Sequence, residues 1–275
     1  MKSRLISTKS LFEKLKTPNK NLKIFDCTFP NSVGISSYMK EKISGADFLF
    51  LQSLSDPKSK YSNTFPPNQV FKYLTDKLNI TPENEIVFYD SIGAIYSPRA
   101  FFIFKSYNFK NIYILDGGLP KWQNENLKTE SNNKVDQNIM QDYKDNEKDV
   151  KLNYDKNSII DYDEVKKLSE SINKEDPVII DTRPLKNFNG GNIPKSKHLF
   201  YMDYFQNDKT FLPKEELIEK FKAINVNALE QQIVSTCGIA ISAAITNFVI
   251  SEIIGNDKIK IYDGSYEEYS DKNKK

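Results

Sequence analysis

Short apolar runs that stop on a polar or turn residue recur along this chain, and apolar positions at helical spacing often follow them. In the first half these are "LKIFDCTFP", "EIVFYDSIGAIYSPRAFFIF" and "NIYILDGGLPKW"; in the second they are "PVIIDTRP", "QIVSTCGIAISAAITNFVIS" and "KIKIYDGSYEEY". Each reads as a strand, and the central run of each half continues into a helix. "PPNQVFKYLTDKLNI" predicts a helix with Phe71, Leu74 and Leu78 on one face and Pro67 near its start. "DYDEVKKLSESINKED" predicts another, with an Asp start and a polar stop. Strands alternating with helices imply parallel sheets covered on both faces, an α/β protein.

The two sets share a register. Asp90 and Cys237 lie 147 positions apart, as do Asp116 and Asp263, and Trp122 and Tyr269. Asp26 and Asp181 lie 155 apart, so the second copy is eight residues shorter between its first and central strands. An offset this large indicates a duplicated domain rather than a solenoid, whose periods are about 20–50 residues. The expected division is a first domain over 1–126, a polar linker over 127–157 and a second domain over 158–275. The linker is charged and poor in large apolar groups, although Val135, Ile139, Met140 and Tyr143 offer it a way to pack. The charged run around 141–151 reads as a solvated face.

Composition narrows the function. The chain has 275 residues, 39% of them apolar and 28% charged, as a globular protein does. A net charge of +2 gives no electrostatic case for nucleic acid or an anionic membrane. No apolar run approaches the roughly 18 residues of a membrane span. The start, "MKSRLISTKSLFEKL", lacks a signal-peptide core and is poor in arginine for a transit peptide. Two cysteines, Cys27 and Cys237, cannot build a disulfide framework, so a reducing, cytoplasmic setting is expected. With the single His198 they also make a poor zinc site, and no metal is expected.

Cys237 draws the chemical interest, because "QIVST" ends there and a helical run begins six residues on. Parallel sheets bind ligands at the carboxyl ends of their strands. If Gly238, Ile239, Ala240, Ile241 and Ser242 curl around the thiol, their N–H groups form a cradle for a thiolate or a bound anion. Asp90 holds the same place in the first copy, so only the second carries a nucleophile. A buried cysteine acting as a small hydrophobe is the competing reading. A phosphatase loop of the form C-x5-R fails because Ala243 stands where the arginine belongs. A Cys–His hydrolase would rest on His198 alone. Sulfur transfer needs only a thiolate, an anion cradle and room for a persulfide, and fits best.

At this point the chain resembles the tandem rhodanese family of thiosulfate and 3-mercaptopyruvate sulfurtransferases along essentially its whole length. "ISGADFL" resembles the family's H-I-P-G-A segment, "LDGGLPKW" its LDGG-x-x-x-W motif, "IIDTRP" its D-x-R strand end, "CGIAIS" its C-G-S-G-V-T loop and "YDGSYEEY" its closing Y-D-G-S-W-x-E-W. The resemblance implies two rhodanese-like domains, each a mostly parallel sheet flanked by helices, the first non-catalytic and the second carrying the active cysteine. It implies no cofactor. Cys237 would take sulfur from a small-molecule donor as a persulfide and deliver it to cyanide or to a thiol such as thioredoxin or glutathione. The expected molecule is a monomer, cytoplasmic, with a mitochondrial location left open.

Departures from the family pattern bear on the donor. Only three arginines occur, Arg4, Arg99 and Arg183. The G-R-F-R-G stretch that grips donor anions has become Asn187, Phe188, Asn189 and Gly190, with Lys186 one place earlier. Lys186, Asn187 and Lys195 are the candidate substrate contacts, and Lys197 and His198 lie close by in sequence. Asp181 and Arg183 are expected to brace the strand end, Arg99 to form a structural ion pair, and Cys27 to be a buried structural thiol. Ser242 either donates to the sulfur or caps the helix. Ala240 replaces a family glycine, and Lys42 replaces the family histidine of the first copy. These losses keep a second expectation open, a rhodanese fold that survives as a binding or regulatory module.

Overall fold

The protein is described here from a computed structural model, over residues 3–132, 134–137, 139–143, 150–173 and 175–274. It divides into two compact units, and each borrows a piece of chain from the other half of the sequence. The first comprises Met1–Pro57, Phe65–Asp155 and Gln206–Phe211; the second comprises Lys58–Thr64, Lys156–Phe205 and Leu212–Lys275.

In the first unit the strands are β1 (Leu5–Ile6), β2 (Leu22–Asp26), β3 (Lys42–Ile43), β4 (Asp47–Phe48), β5 (Glu85–Tyr89), β6 (Ile112–Leu115) and β7 (Thr129–Glu130). Its helices are α1 (Thr8–Leu15), α2 (Asn31–Lys40), α3 (Asn68–Lys77), α4 (Ser97–Ser106) and α5 (Gly118–Asn124). Among the described residues the main sheet runs β1-β6-β5-β2-β4, all parallel, and β3 pairs antiparallel with β7. The central strands are buried on both faces, as continuous apolar runs in a covered parallel sheet must be. One face packs on Leu11, Leu119 and Trp122. The described part of the polar stretch after α5 lies on this unit. Trp122 Nε1 donates to Lys128 O at 3.0 Å, Ile139 is buried, the Tyr143 ring meets Tyr73, and Tyr154 packs between Phe65 and Tyr107. Residues 144–149, the middle of the charged run, lie outside the described residues.

The second unit repeats the plan with β8 (Ile159–Ile160), β9 (Val178–Asp181), β10 (Lys197–His198), β11 (Ile233–Thr236) and β12 (Ile259–Tyr262). The helices are α6 (Tyr162–Glu170), α7 (Leu185–Asn189), α8 (Lys214–Ala223), α9 (Ala243–Phe248) and α10 (Ser265–Lys272). The order β10-β9-β11-β12-β8, again parallel, is the first sheet's order read from its other edge. Asp161 opens α6 with a reciprocal capping box to Glu164, which satisfies two helix-end donors at once. A π-helical turn over Val249–Ile254 follows α9 and ends on Gly255, whose φ of 93° no other residue adopts as easily. Among the described residues no helix is long and apolar enough to cross a membrane.

Candidate active site

β11 is wholly buried, so the residue after it emerges at the carboxyl end of the sheet with its strand fixed on both sides by β9 and β12. That residue is Cys237, 1% exposed. The start of α10 grips the loop that follows: Tyr266 N–H donates to Cys237 O at 2.9 Å and Glu267 N–H to Gly238 O at 3.1 Å. Ser265 Oγ accepts from Ala240 N–H at 3.0 Å and lies 3.8 Å from Cys237 Sγ. Ala240 takes the left-handed conformation, φ +59°, which costs a residue with a Cβ about 1 kcal/mol. Ser242 Oγ bonds Thr182 Oγ1 at 3.1 Å and makes no cap to its helix, so its hydroxyl serves the strand end beside the loop. Among the described residues the N–H groups of Ile239, Ile241, Ser242 and Ala243 have no acceptor.

The matching loop of the first unit shows what such amides do when an anion is present. Asp90 Oδ1 accepts from Ile92 N–H at 3.2 Å, while Oδ2 accepts from Tyr96 N–H at 2.9 Å, Ser97 N–H at 3.0 Å and Ser97 Oγ at 2.9 Å. By the 147-residue offset those amides correspond to Ile239, Ala243 and Ala244. Gly93, at the place of Ala240, is also left-handed, φ 101°, with Lys209 packed where its Cβ would be.

Below the second loop, Asp181 is fully buried and paired with Arg183. Arg183 Nε reaches both carboxylate oxygens at 3.0 Å, and Nη2 donates to Asp181 Oδ2 and to Gly191 O at 2.7 Å each. The guanidinium stacks on the Tyr266 ring, 3.8 Å from its centroid. Most of its donor fork is therefore committed within the protein. Asp26, the first-unit counterpart of Asp181, has Thr28 at the place of the arginine. Burial pushes the Asp26 carboxyl up to about 6 against the pull of the Thr28 hydrogen bonds, and among the described residues its Oδ2 accepts no hydrogen bond.

The other candidates are scattered. Lys186 and Asn187 sit exposed on α7, directly after Arg183, and their side chains make no hydrogen bond or ion pair among the described residues. Lys195 does not join them: its ammonium donates to Ser171 O, past the end of α6. Lys197 donates to Ile224 O and Asn225 O, past the end of α8. Each of these helices leads back to a parallel strand, so both lysines are spent at the amino end of the sheet, opposite Cys237. Fixed carbonyl dipoles outbid any distant anion for a lysine this near. His198 Nε2 is held by Arg183 O at 2.7 Å, and its ring lies 5.0 Å from that of Phe188. Lys42, in place of the family histidine, is a buried clamp in the first unit, bonded to Ala46 O and Glu130. Arg99 is 1% exposed within α4, and Cys27 is fully buried with its thiol donating to Phe25 O. Among the described residues no His, Cys, Asp and Glu side chains gather as metal ligands would.

Known proteins share this plan. The profile of the rhodanese-like domain matches residues 8–125 and again 164–272. The chain belongs to the rhodanese-like family. It is 27% identical over 97% of its length to thiosulfate/3-mercaptopyruvate sulfurtransferase 1, mitochondrial, of Arabidopsis thaliana, covering 76% of that protein. With the probable 3-mercaptopyruvate sulfurtransferase of Schizosaccharomyces pombe it shares 23% identity over 96% of this chain and 92% of the relative. Among solved structures, SseA from Escherichia coli, described as a 3-mercaptopyruvate sulfotransferase, superposes with a TM-score of 0.79 at 21% identity, over 96% of this chain and 98% of that one. Tum1 from Saccharomyces cerevisiae gives 0.83 at 22% identity, over 98% and 96%.

In this rhodanese domain three neighbours of the loop were not singled out by sequence reasoning. Ser265 stood inside the quoted "YDGSYEEY", yet nothing in that string shows that its hydroxyl turns back to the sulfur; its own left-handed φ of 53° does that. Tyr201 faces the thiol closely enough that, beyond the effect of burial, a charge on Cys237 raises its hydroxyl's pKa. Asn63 Nδ2 donates to Ile239 O at 3.1 Å from 176 residues away. Only the folded chain brings these three to the loop.

Proposed function

We propose that this protein is a sulfurtransferase in which Cys237 carries sulfane sulfur from thiosulfate or 3-mercaptopyruvate to a thiol or cyanide. One observation carries the reading: the first loop spends its amides on its own Asp90 carboxylate, whereas the second presents a thiol among amides without acceptors. The Cys237 thiolate attacks the outer sulfur of thiosulfate. A new S–S bond forms, the donor's S–S bond breaks, and sulfite leaves with the electron pair. With 3-mercaptopyruvate the C–S bond breaks instead, and the resulting pyruvate enolate takes a proton from water. Negative charge accumulates on the outer persulfide sulfur, where the amides of Ile239, Ile241, Ser242 and Ala243 can receive it. An acceptor thiolate then attacks that sulfur, leaves as a hydropersulfide and restores the Cys237 thiolate; cyanide leaves as thiocyanate.

Lys186 and Asn187 are the proposed grip on the donor, and thiosulfate, small and dianionic, demands less of them than mercaptopyruvate. No metal or cofactor enters the cycle. Thioredoxin or glutathione are the proposed acceptors, the molecule acts as a monomer, and its proposed location is the cytoplasm, with the mitochondrion as the alternative. The commitment of Arg183 to Asp181 and of Lys195 to Ser171 favours a second reading, a scaffold that has lost donor recognition. Intact-protein mass after incubation with each donor separates the two. A reducible gain of about 32 Da, absent in Cys237→Ser, is the expected result. No gain from either donor, with Cys237 still open to alkylation, overturns the enzyme.

A further inference from the structure

The peptide between Ile239 and Ala240 is held from both sides. Its carbonyl accepts from Asn63 Nδ2 at 3.1 Å, and its N–H donates to Ser265 Oγ at 3.0 Å. Ser265 is anchored in turn by donating to Tyr262 O. Asn63 is buried and arrives on a strap docked along α10: Ser62 N–H and Oγ bond the Glu267 carboxylate, and Tyr61 Oη and Lys60 Nζ bond Asp271.

This double hold answers a specific local problem. Ala240 is buried with φ +59°, a conformation that its Cβ resists. Rotating the 239–240 peptide by half a turn would carry Ala240 to a negative φ and relieve it. The same rotation would turn the Ile239 carbonyl toward Ser265 and the sulfur, replacing a donor by lone pairs that repel a thiolate. Glycine, as at position 93 of the first loop, feels far less of this pull.

We propose that Asn63 is a positioning residue of the Cys237 site, holding the Ile239 carbonyl outward so that the Ala240 N–H, and not a carbonyl, faces Ser265 Oγ beside the sulfur. The proposal rests on Cys237 being the sulfur carrier. It makes the clamp a consequence of the alanine at 240, and ties loop geometry to a strap read from the first half of the sequence.

The test uses the full chain. Asn63→Gly removes the side chain while tolerating the φ of 52° at that position, and Asn63→Asp keeps the shape without the donor. The readout is the pH profile of Cys237 alkylation, followed by peptide mass, beside thermal unfolding. Both variants are expected to move the profile's midpoint up by about one pH unit and slow alkylation at pH 7 by about tenfold. Ala240→Gly is expected to abolish more than half of that shift when combined with Asn63→Gly. Unmoved profiles in both variants overturn the clamp, and so does an equal shift whether residue 240 is Ala or Gly. If the parent chain takes up no sulfur from either donor, the sulfurtransferase reading fails while these profiles still judge the clamp.

Discussion

In the first unit the loop after β5 closes on its own carboxylate; in the second the loop after β11 has no carboxylate of its own and is held from outside, by the start of α10 and by Asn63. Asp90 accepts from the amides of Ile92, Tyr96 and Ser97, so those donors are already occupied within the loop. Among the described residues the second loop leaves the N–H groups of Ile239, Ile241, Ser242 and Ala243 without acceptors, and it is tied through its carbonyls to Tyr266 N–H, Glu267 N–H and Asn63 and through Ala240 N–H to Ser265. Beneath the loops the contrast reverses. Asp181 has Arg183, while Asp26 has Thr28 at the arginine's place and holds its proton up to about pH 6. The same duplicated backbone thus pairs its aspartate with an arginine in the unit that carries the thiol, and with a threonine in the unit that carries Asp90. Arg183 ties Asp181 at the end of β9 to Gly191 O and to the Tyr266 ring.

The largest expected effect comes from making the second loop resemble the first. Cys237→Asp would place a carboxylate among the orphan amides. Sulfur loading is expected to fall by at least about a thousandfold, since the proposed nucleophile is gone. Thermal unfolding shifts upward or stays put; a clear drop in the melting temperature would break the analogy between the loops. Arg183→Leu makes the second unit's floor resemble the first's. It strands a fully buried Asp181 and is expected to cost about 3–5 kcal/mol in urea unfolding.

Asp26→Asn acts in the opposite direction. The folded-state value for Asp26 is raised from 3.8 to about 6, so its ionisation weakens the fold as pH rises from about 4 to 6. The variant is expected to be more stable than the parent by about 2 kcal/mol at pH 7.5, with the gap closing by pH 4. A pH-independent difference in urea midpoints would show that Asp26 is not the group responsible. Ala240→Gly is the smallest change, a gain of about 0.5 kcal/mol from relieved backbone strain, read in the same titration.

Much of the architecture was legible in the sequence. The three inner strands of each sheet announced themselves as apolar runs, and the constant 147-residue offset revealed the duplication. The edge strands did not: β1, β4, β8 and β10 are two residues long, too short for any period. Cys237 stood out because a strand end and a helix start bracket it. Lys195 misled because a lysine's reach says nothing of its direction, and the nearest carbonyl lay past the end of α6. The role of Asn63 was beyond reading, since no pattern links a turn residue to a carbonyl 176 positions on. The linker's contacts were half legible: Ile139 and Tyr143 do pack, through Tyr73 in the latter case, but the pairing of β7 with β3 carries no local signature.

Each unit contains a segment that belongs, in sequence, to the other half of the chain, and this bears on how the protein is made. On the ribosome, Gln206–Phe211 is synthesised roughly fifty residues after Asp155, several seconds later at ~5–20 residues per second. Until it emerges, Asp116 lacks the Phe211 N–H and Lys121 lacks the Asp208 carboxylate. The nascent first half must therefore wait, nearly built, for a patch translated with the second. Separating the halves at the gene level would strip a strap from both products at once.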